Sequence, residues 1–292
     1  MAYLDYGTWI RKQFPFRVQK ISVDAGFSCP NRDGTKGLNG CVFCNNETFN
    51  PSYCQNKDSV DLQLEKGKSF FARKYPDMKY LAYFQAYSNT HAPLDRLKTL
   101  YETALNVEDI VGLVIATRPD CIDNEKLDYL AELNKKTFLI MEYGVESCNN
   151  DTLKLINRCH TFECSKEAIE KTHERGIRTG AHIILGLPGE SKKEILRQAD
   201  IISALPIDIL KLHQMQIVKG TKLAECYKQM KPTIFSIEEY LDLVVEYIRR
   251  LRKDIILERF VSQSPKELLV APNWGIKNHE FTDLLNKRLN SL

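Results

Sequence analysis

Three cysteines, Cys29, Cys41 and Cys44, crowd into sixteen residues, with eleven residues between the first two and two between the last pair. Thiolates suit iron–sulfur clusters and zinc alike. A closed structural zinc site needs four ligands, and no histidine or fourth cysteine stands at zinc-finger spacing beside these three; Cys54 is the only local candidate. Three thiolates on a 4Fe–4S cluster would leave one iron without a protein ligand, and such an open corner can bind a cofactor or substrate directly. Glycines at 26, 34, 37 and 40 let the loop fold tightly, because glycine reaches backbone conformations closed to other residues. Phe43, between the last two cysteines, could shield a cluster. Ligand type and count favour the cluster; a zinc site completed from afar and an unliganded surface pair are the alternatives.

Such a loop needs a rigid frame. From Arg17 onward, apolar runs with β-branched residues alternate with segments of helical period, the signature of parallel β/α architecture. The pattern predicts strands over 18–24, 80–85, 111–117, 138–144, 178–185 and 208–218, and helices over 94–105, 124–133, 163–175 and 192–204. The run Val111-Gly112-Leu113-Val114-Ile115-Ala116 reads as a strand buried on both faces. Six strands with six crossovers predict an α/β fold, a partial (β/α)6 TIM-type barrel over residues 17–221 after a lead-in of 1–16. Chemistry in such folds sits on loops leaving the strands' C-terminal ends. Beyond Thr221 the rhythm changes to a helix over 236–253, a short strand over 255–260 and a helix over 279–289. Residues 222–292 are therefore expected to form a C-terminal helical extension packed on the barrel.

The chain has 292 residues, 43% hydrophobic and 27% charged, enough apolar material for a substantial core. No apolar stretch reaches the roughly 18 residues of a membrane helix, and Met1 to Arg11 lacks the order of a signal peptide. A cytoplasmic protein with no membrane association is expected. In a reducing compartment its nine cysteines, an odd number, are free thiols or ligands, not a disulfide framework. Cys54, Cys121, Cys148, Cys159, Cys164 and Cys226 form no close pair and are expected to be buried free thiols. A net charge of +3 and a pI near 8.3 permit RNA binding without arguing for it.

On Gly26-Phe27-Ser28-Cys29-Pro30-Asn31-Arg32-Asp33-Gly34 and the cysteine spacing that follows it, the sequence resembles the radical SAM superfamily. Within it the resemblance is to the YtqA/YhcC-like subgroup, relatives of the catalytic subunit of elongator. The spacing departs from the superfamily's commoner three-and-two but matches this subgroup, and the resemblance covers nearly the whole chain. It implies a radical SAM barrel, a 4Fe–4S cluster on Cys29, Cys41 and Cys44 with Phe43 beside it, and S-adenosylmethionine (SAM) on the open iron. Ser88, Asn89 and Thr90, where the superfamily usually has Gly-Gly-Glu, would receive the methionine amino group. Glu146 and Ser147 resemble the ribose-contacting motif. Arg158 resembles the arginine that pairs with the methionine carboxylate, which a guanidinium fork fits bidentately. Ile184 and Gly186 would lie against the adenine. Ala116-Thr117-Arg118-Pro119-Asp120 is similar to an elongator-type turn.

The same resemblance implies an electron donor such as flavodoxin or ferredoxin, and a 5'-deoxyadenosyl radical as the product of SAM cleavage. For the subgroup it implies tRNA as substrate, with 5-carboxymethylaminomethyl-2-thiouridine at the wobble position matured to the 5-aminomethyl form. Hydrogen abstraction from the glycine-like methylene, oxidation to an imine and hydrolysis would release the two-carbon piece as glyoxylate. A radical enzyme for a small metabolite or protein, and a zinc-stabilised RNA-binding module, are the competing functions. Candidate substrate contacts are Lys211, His213 and Gln214 on the sixth strand and the basic run Arg249, Arg250, Arg252 and Lys253, with Lys266, Lys277, Lys287 and Arg288 nearby in sequence. Against the run stands its place after Glu238, Glu239, Asp242 and Glu246, the order that complements a helix dipole on a solvated face.

Overall fold

The computed structural model describes residues 3–48, 50–72 and 77–291. Its strands are β1 (Leu4–Asp5), β2 (Val18–Val23), β3 (Lys79–Phe84), β4 (Ile110–Thr117), β5 (Phe138–Glu146), β6 (Arg178–Leu185), β7 (Ile209–Gln214), β8 (Ile217–Val218), β9 (Ile256–Arg259) and β10 (Leu269–Ala271). Its helices are α1 (Tyr6–Gln13), α2 (Val60–Ala72), α3 (Leu94–Leu105), α4 (Asn124–Asn134), α5 (Asn150–Leu155), α6 (Phe162–Glu174), α7 (Lys192–Ser203), α8 (Lys222–Met230), α9 (Ile237–Arg250) and α10 (Asn278–Asn290). Eight strands make one sheet in the order β1-β9-β7-β6-β5-β4-β3-β2, each paired parallel to its neighbours, and it curls into a half barrel. β8 and β10 pair antiparallel in a small second sheet.

All six expected barrel strands are present. The segment predicted as one strand over 208–218 breaks at Met215 and Gln216 into β7 and β8. The short strand expected in the C-terminal segment is β9, and it lies inside the main sheet between β7 and β1. That insertion, with β1, widens the sheet from six strands to eight.

Side chains alternate across a strand, and here the alternation feeds two cores. Ile21, Ala82, Phe84, Leu113, Met141 and Leu212 face outward into the layer packed under the helices. Leu81, Val114, Ile140, Ile209 and Ile256 face inward and, with Ile10 of α1, plug the barrel at the strands' N-terminal ends. One step further along, the inward positions turn polar, with Lys20, Tyr83, Glu142, His182, Lys211 and Glu258 meeting in one network. Beyond that layer the barrel opens.

The outer helices are cut to length by local chemistry. Ser191 and Glu194 close a capping box on α7, and Ser236 and Glu239 close another on α9. α9 buries Tyr240, Leu241, Val244, Tyr247 and Ile248, a stripe of helical period. Each such side chain contributes about 1.5–3 kcal/mol when fully buried. Among the described residues no helix is long and apolar enough to cross a membrane.

Candidate active site

The loop leaving β2 is held across the open end of the barrel. Gln63 of α2 accepts from Asp24 N at 2.9 Å and donates back to Asp24 O at 2.8 Å, fixing the loop's start. Asn31 is fully buried; its side-chain amide donates to Asn157 O and lies 3.6 Å from Cys41 Sγ. Two glycines make the fold possible. A Cβ on Gly37 would fall 2.3 Å from Asn31 Oδ1, and Gly40, at φ +73°, would put one 2.7 Å from Arg32 Nε. The result brings Cys29, Cys41 and Cys44 to one cavity of about 1250 Å³, its mouth included, at the C-terminal ends of the strands.

Ser88, Phe43, Glu146, Arg158, Ile184 and His213 line the same cavity, as does Gln214. Glu146 reaches it through a bulge. The pairing of β5 with β6 skips Val145, and Glu146 takes φ +67°, so the bulge re-aims its side chain. Arg158 sits between two left-handed residues, Asn157 and Cys159. Its Nη1 donates to Cys41 Sγ at 3.4 Å, its Nη2 donates to Gly144 O at 2.5 Å, and Glu146 Oε1 lies 3.5 Å away. Non-glycine residues at positive φ carry strain that persists where the surroundings enforce it. Behind Arg158, Arg118 donates to its carbonyl at 2.7 Å and holds Asp120 bidentately at 2.9 Å. Burial works against the Asp120 carboxylate, but the Arg118 guanidinium outweighs it and keeps the carboxyl well below its ordinary pKa.

The thiols are free. Burial, with Cys41 next in effect, pushes the Cys44 thiol up to about 11, so binding a metal group there must displace a proton. Among the described residues no three histidine, cysteine, aspartate or glutamate side chains converge as ligands of one ion do.

Several expected contacts lie elsewhere. Asn89 donates to Phe84 O at 3.0 Å and Ala116 O at 2.8 Å, while Thr90 bonds Thr117 Oγ1 at 2.7 Å and Cys121 O at 2.8 Å. Both tie the loop after β3 to the end of β4 and do not line the cavity. Ser147 donates to buried Glu190 at 2.5 Å, away from the cavity. Gly186, at φ +100°, is required by the chain itself, since a Cβ there would fall 2.5 Å from Thr233 O in the segment before α9. Lys211 is fully enclosed, 2.7 Å from Glu142 and 3.2 Å from Glu258.

The basic run is also misplaced for a mouth. α9 returns toward the start of β9, so Arg249, Arg250, Arg252 and Lys253 lie at the strands' N-terminal end, opposite the cavity. Arg252 donates to the carbonyls of Ser203, Leu205 and Ile207, a latch beyond α7, and Arg250 pairs with Asp200.

Composition did not point to Tyr83, His182 and Arg259, which line the cavity too. The signal was available at Lys20, Glu142 and His182. Each is a titratable side chain at an inward position of a barrel strand. Such residues are enclosed only where they are paired.

A curled sheet of eight parallel strands with a three-cysteine loop across its C-terminal ends defines a half-barrel enzyme of the radical type. The chain belongs to the radical SAM superfamily: residues 34–201 match the profile of the Radical SAM superfamily, and residues 207–291 that of the Radical_SAM C-terminal domain. Its cofactors are a 4Fe–4S cluster and SAM. It is 37% identical over 280 residues to the uncharacterized protein YtqA of Bacillus subtilis, covering 96% of this chain and 87% of that one. It is 34% identical to protein YhcC of Escherichia coli, covering 92% and 86%. A tRNA uridine(34) acetyltransferase of Methanocaldococcus infernus is 26% identical over 66% of this chain and 35% of its own length. In fold, the chain is similar to the archaeal Elp3 of Methanocaldococcus infernus with an N-terminal deletion, at a TM-score of 0.68 and 16% identity, covering 94% of this chain and 63% of that one.

Proposed function

We propose that Cys29, Cys41 and Cys44 hold the cluster, that Glu146, Arg158, Ser88 and Ile184 receive SAM, and that the enzyme matures a tRNA wobble uridine. The reaction would convert 5-carboxymethylaminomethyl-2-thiouridine to 5-aminomethyl-2-thiouridine, with reduction supplied by a donor such as flavodoxin or ferredoxin. The observation that carries the cofactor assignment is that three thiols line one cavity together with polar atoms that are buried and unpartnered among the described residues, Arg118 Nη1 and Arg158 Nε. Leaving such a group unsatisfied costs about 1–3 kcal/mol, so these atoms fit a polar, charged ligand. Bound there, the cluster and SAM would supply radical chemistry able to abstract a hydrogen atom from the substrate.

The chain's own residues prepare that chemistry. Arg158 sets a guanidinium against Cys41 Sγ and donates to that sulfur, which fixes its place in the loop. Glu146 stands beside it as an acceptor for hydroxyl groups. Phe43 and Ile184 line the cavity with apolar surface and limit water near a reactive carbon. Support for the substrate comes from relatives named for uridine 34 of tRNA, at 24–30% identity over part of this chain.

The test is nucleoside mass spectrometry of tRNA from cells lacking the gene. The carboxymethylaminomethyl form should accumulate and aminomethyl-derived forms should fall. Purified enzyme with SAM and a reductant should release 5'-deoxyadenosine in step with conversion of the modified tRNA. An unchanged nucleoside profile, together with no stimulation by modified tRNA, would remove tRNA as the substrate.

A further inference from the structure

Arg259 is the last residue of β9, and its register explains where it points. Leu257 pairs with Leu210 and Arg259 with Lys211, so Glu258 is skipped. Such a bulge lets consecutive residues serve one side of the sheet. Glu258 enters the buried ion network, at 2.7 Å from Lys20 and 3.2 Å from Lys211, and Arg259 lines the cavity. Both carboxylates of that layer are thereby engaged by lysines, since Glu142 is held by Lys20 at 3.0 Å and Lys211 at 2.7 Å. Arg259 makes no hydrogen bond or ion pair with any of the described residues, although it is half-buried. The local balance is three cations, Lys20, Lys211 and Arg259, against two carboxylates, Glu142 and Glu258. The histidines beside it do not compensate, because a histidine is neutral or positive. An uncompensated charge in a recess is costly unless a ligand of opposite sign completes it.

We infer that Arg259 anchors a carboxylate of the substrate, with His213, Gln216, Ser262 and Ser264 as the polar wall around it. SAM's own carboxylate is assigned to Arg158 beyond β5. That places it three strand spacings from β9, roughly 14 Å along the sheet at about 4.8 Å per spacing. His213 supplies a further contact point. Its Nδ1 bonds Ser262 Oγ, and its buried Nε2 has no partner among the described residues. Burial first, and then His182 and Arg259, hold His213 neutral, so the wall adds hydrogen-bonding capacity without another fixed charge. The inference rests on the proposed reaction, whose substrate differs from its product by a carboxylate-bearing arm. A guanidinium at this place would select substrate and release product.

The experiment uses the reconstituted holoenzyme with SAM, kept free of oxygen and reductant. 5-Carboxymethylaminomethyluridine and its methyl ester are titrated by calorimetry. The acid should bind roughly ten- to 150-fold more tightly than the ester, the range for a lost charge-assisted hydrogen bond. Arg259→Gln should abolish that preference, and Arg259→Lys should retain part of it. Equal binding of acid and ester to the wild-type protein overturns the inference, as does an undiminished preference in Arg259→Gln. If the glutamine variant fails to fold, the acid–ester comparison on the wild-type protein decides alone. A clear acid preference without turnover of tRNA supports the anchor and counts against the proposed reaction only.

Discussion

Lys20 on β2 and Glu258 on β9 are 238 residues apart in sequence and 2.7 Å apart in space. The two strands stand near opposite edges of the sheet, so this ion pair spans the gap that a half barrel leaves open. It does so inside a network in which Glu142 is the common acceptor for Lys20, Lys211, Tyr83 and His182. The polar layer separates the apolar plug below from the cavity above. The half barrel is thus closed by charge as well as by packing.

Glu142→Ala should strongly destabilise the protein. Removing the common acceptor leaves two buried lysines competing for Glu258, and breaking a buried pair from one side costs about 3–5 kcal/mol. Urea unfolding of the purified variant measures it. A loss below about 1 kcal/mol would mean the network is dispensable for folding.

A second prediction concerns pH. Burial raises the Glu190 carboxyl from its ordinary 4.5 to about 7, against hydrogen bonds from Ser147 and its neighbours. A raised carboxyl binds its proton more tightly in the folded state. The contribution is therefore fully present below pH 4.5 and is lost as pH rises through 7. At about 1.4 kcal/mol per unit, the loss is of order 3 kcal/mol. Glu190→Gln should be relatively more stable at pH 8 than at pH 4.5, read as the difference between the two unfolding curves. Parallel stability profiles for the two proteins would refute it.

The strands were legible because buried parallel strands leave apolar runs, and the three cysteines of the loop stood out as candidate ligands because thiols so closely spaced seldom serve packing alone. β9 was legible as a strand but not as a member of the main sheet, since four residues carry no information about their partners. Asn89, Thr90 and Gly186 occur at the right strand ends but serve the chain's own backbone, and nothing in a motif separates a ligand contact from a loop brace. The basic run misled for another reason. Charge density is visible in sequence, but the direction in which α9 runs, which carries Arg249–Lys253 away from the cavity, is set by tertiary structure. Arg259 was invisible because a bulge decides its face, and a bulge is a property of the pairing.

Replacing Cys29, Cys41 or Cys44 singly by alanine should remove iron and abolish SAM cleavage, because three thiolates are the proposed protein ligands. Cys54→Ala should keep its iron, since Cys54 is buried and does not line the cavity. Iron analysis and the broad absorption near ~400 nm of a 4Fe–4S cluster report the outcome in protein purified without oxygen. Wild-type iron stoichiometry in all three variants would rule out the ligand assignment.

Arg158 joins the two halves of the proposed site, touching Cys41 Sγ on one side and facing Glu146 on the other. Its Nε is buried without a partner among the described residues, leaving a donor for the carboxylate that SAM would bring. Arg158→Ala should weaken SAM binding by the worth of a charged hydrogen bond, about 1.5–3 kcal/mol, or roughly ten- to 150-fold. Glu146→Ala should weaken it too, through the ribose hydroxyls. Arg158→Lys keeps the charge but loses the planar fork, and should recover only part of the affinity. Equilibrium binding of SAM to cluster-loaded protein measures all three, with iron content determined on the same samples to separate a lost ligand from a lost cluster. If both alanine variants keep wild-type SAM affinity at full iron content, neither residue holds SAM and the cofactor must lie elsewhere in the cavity.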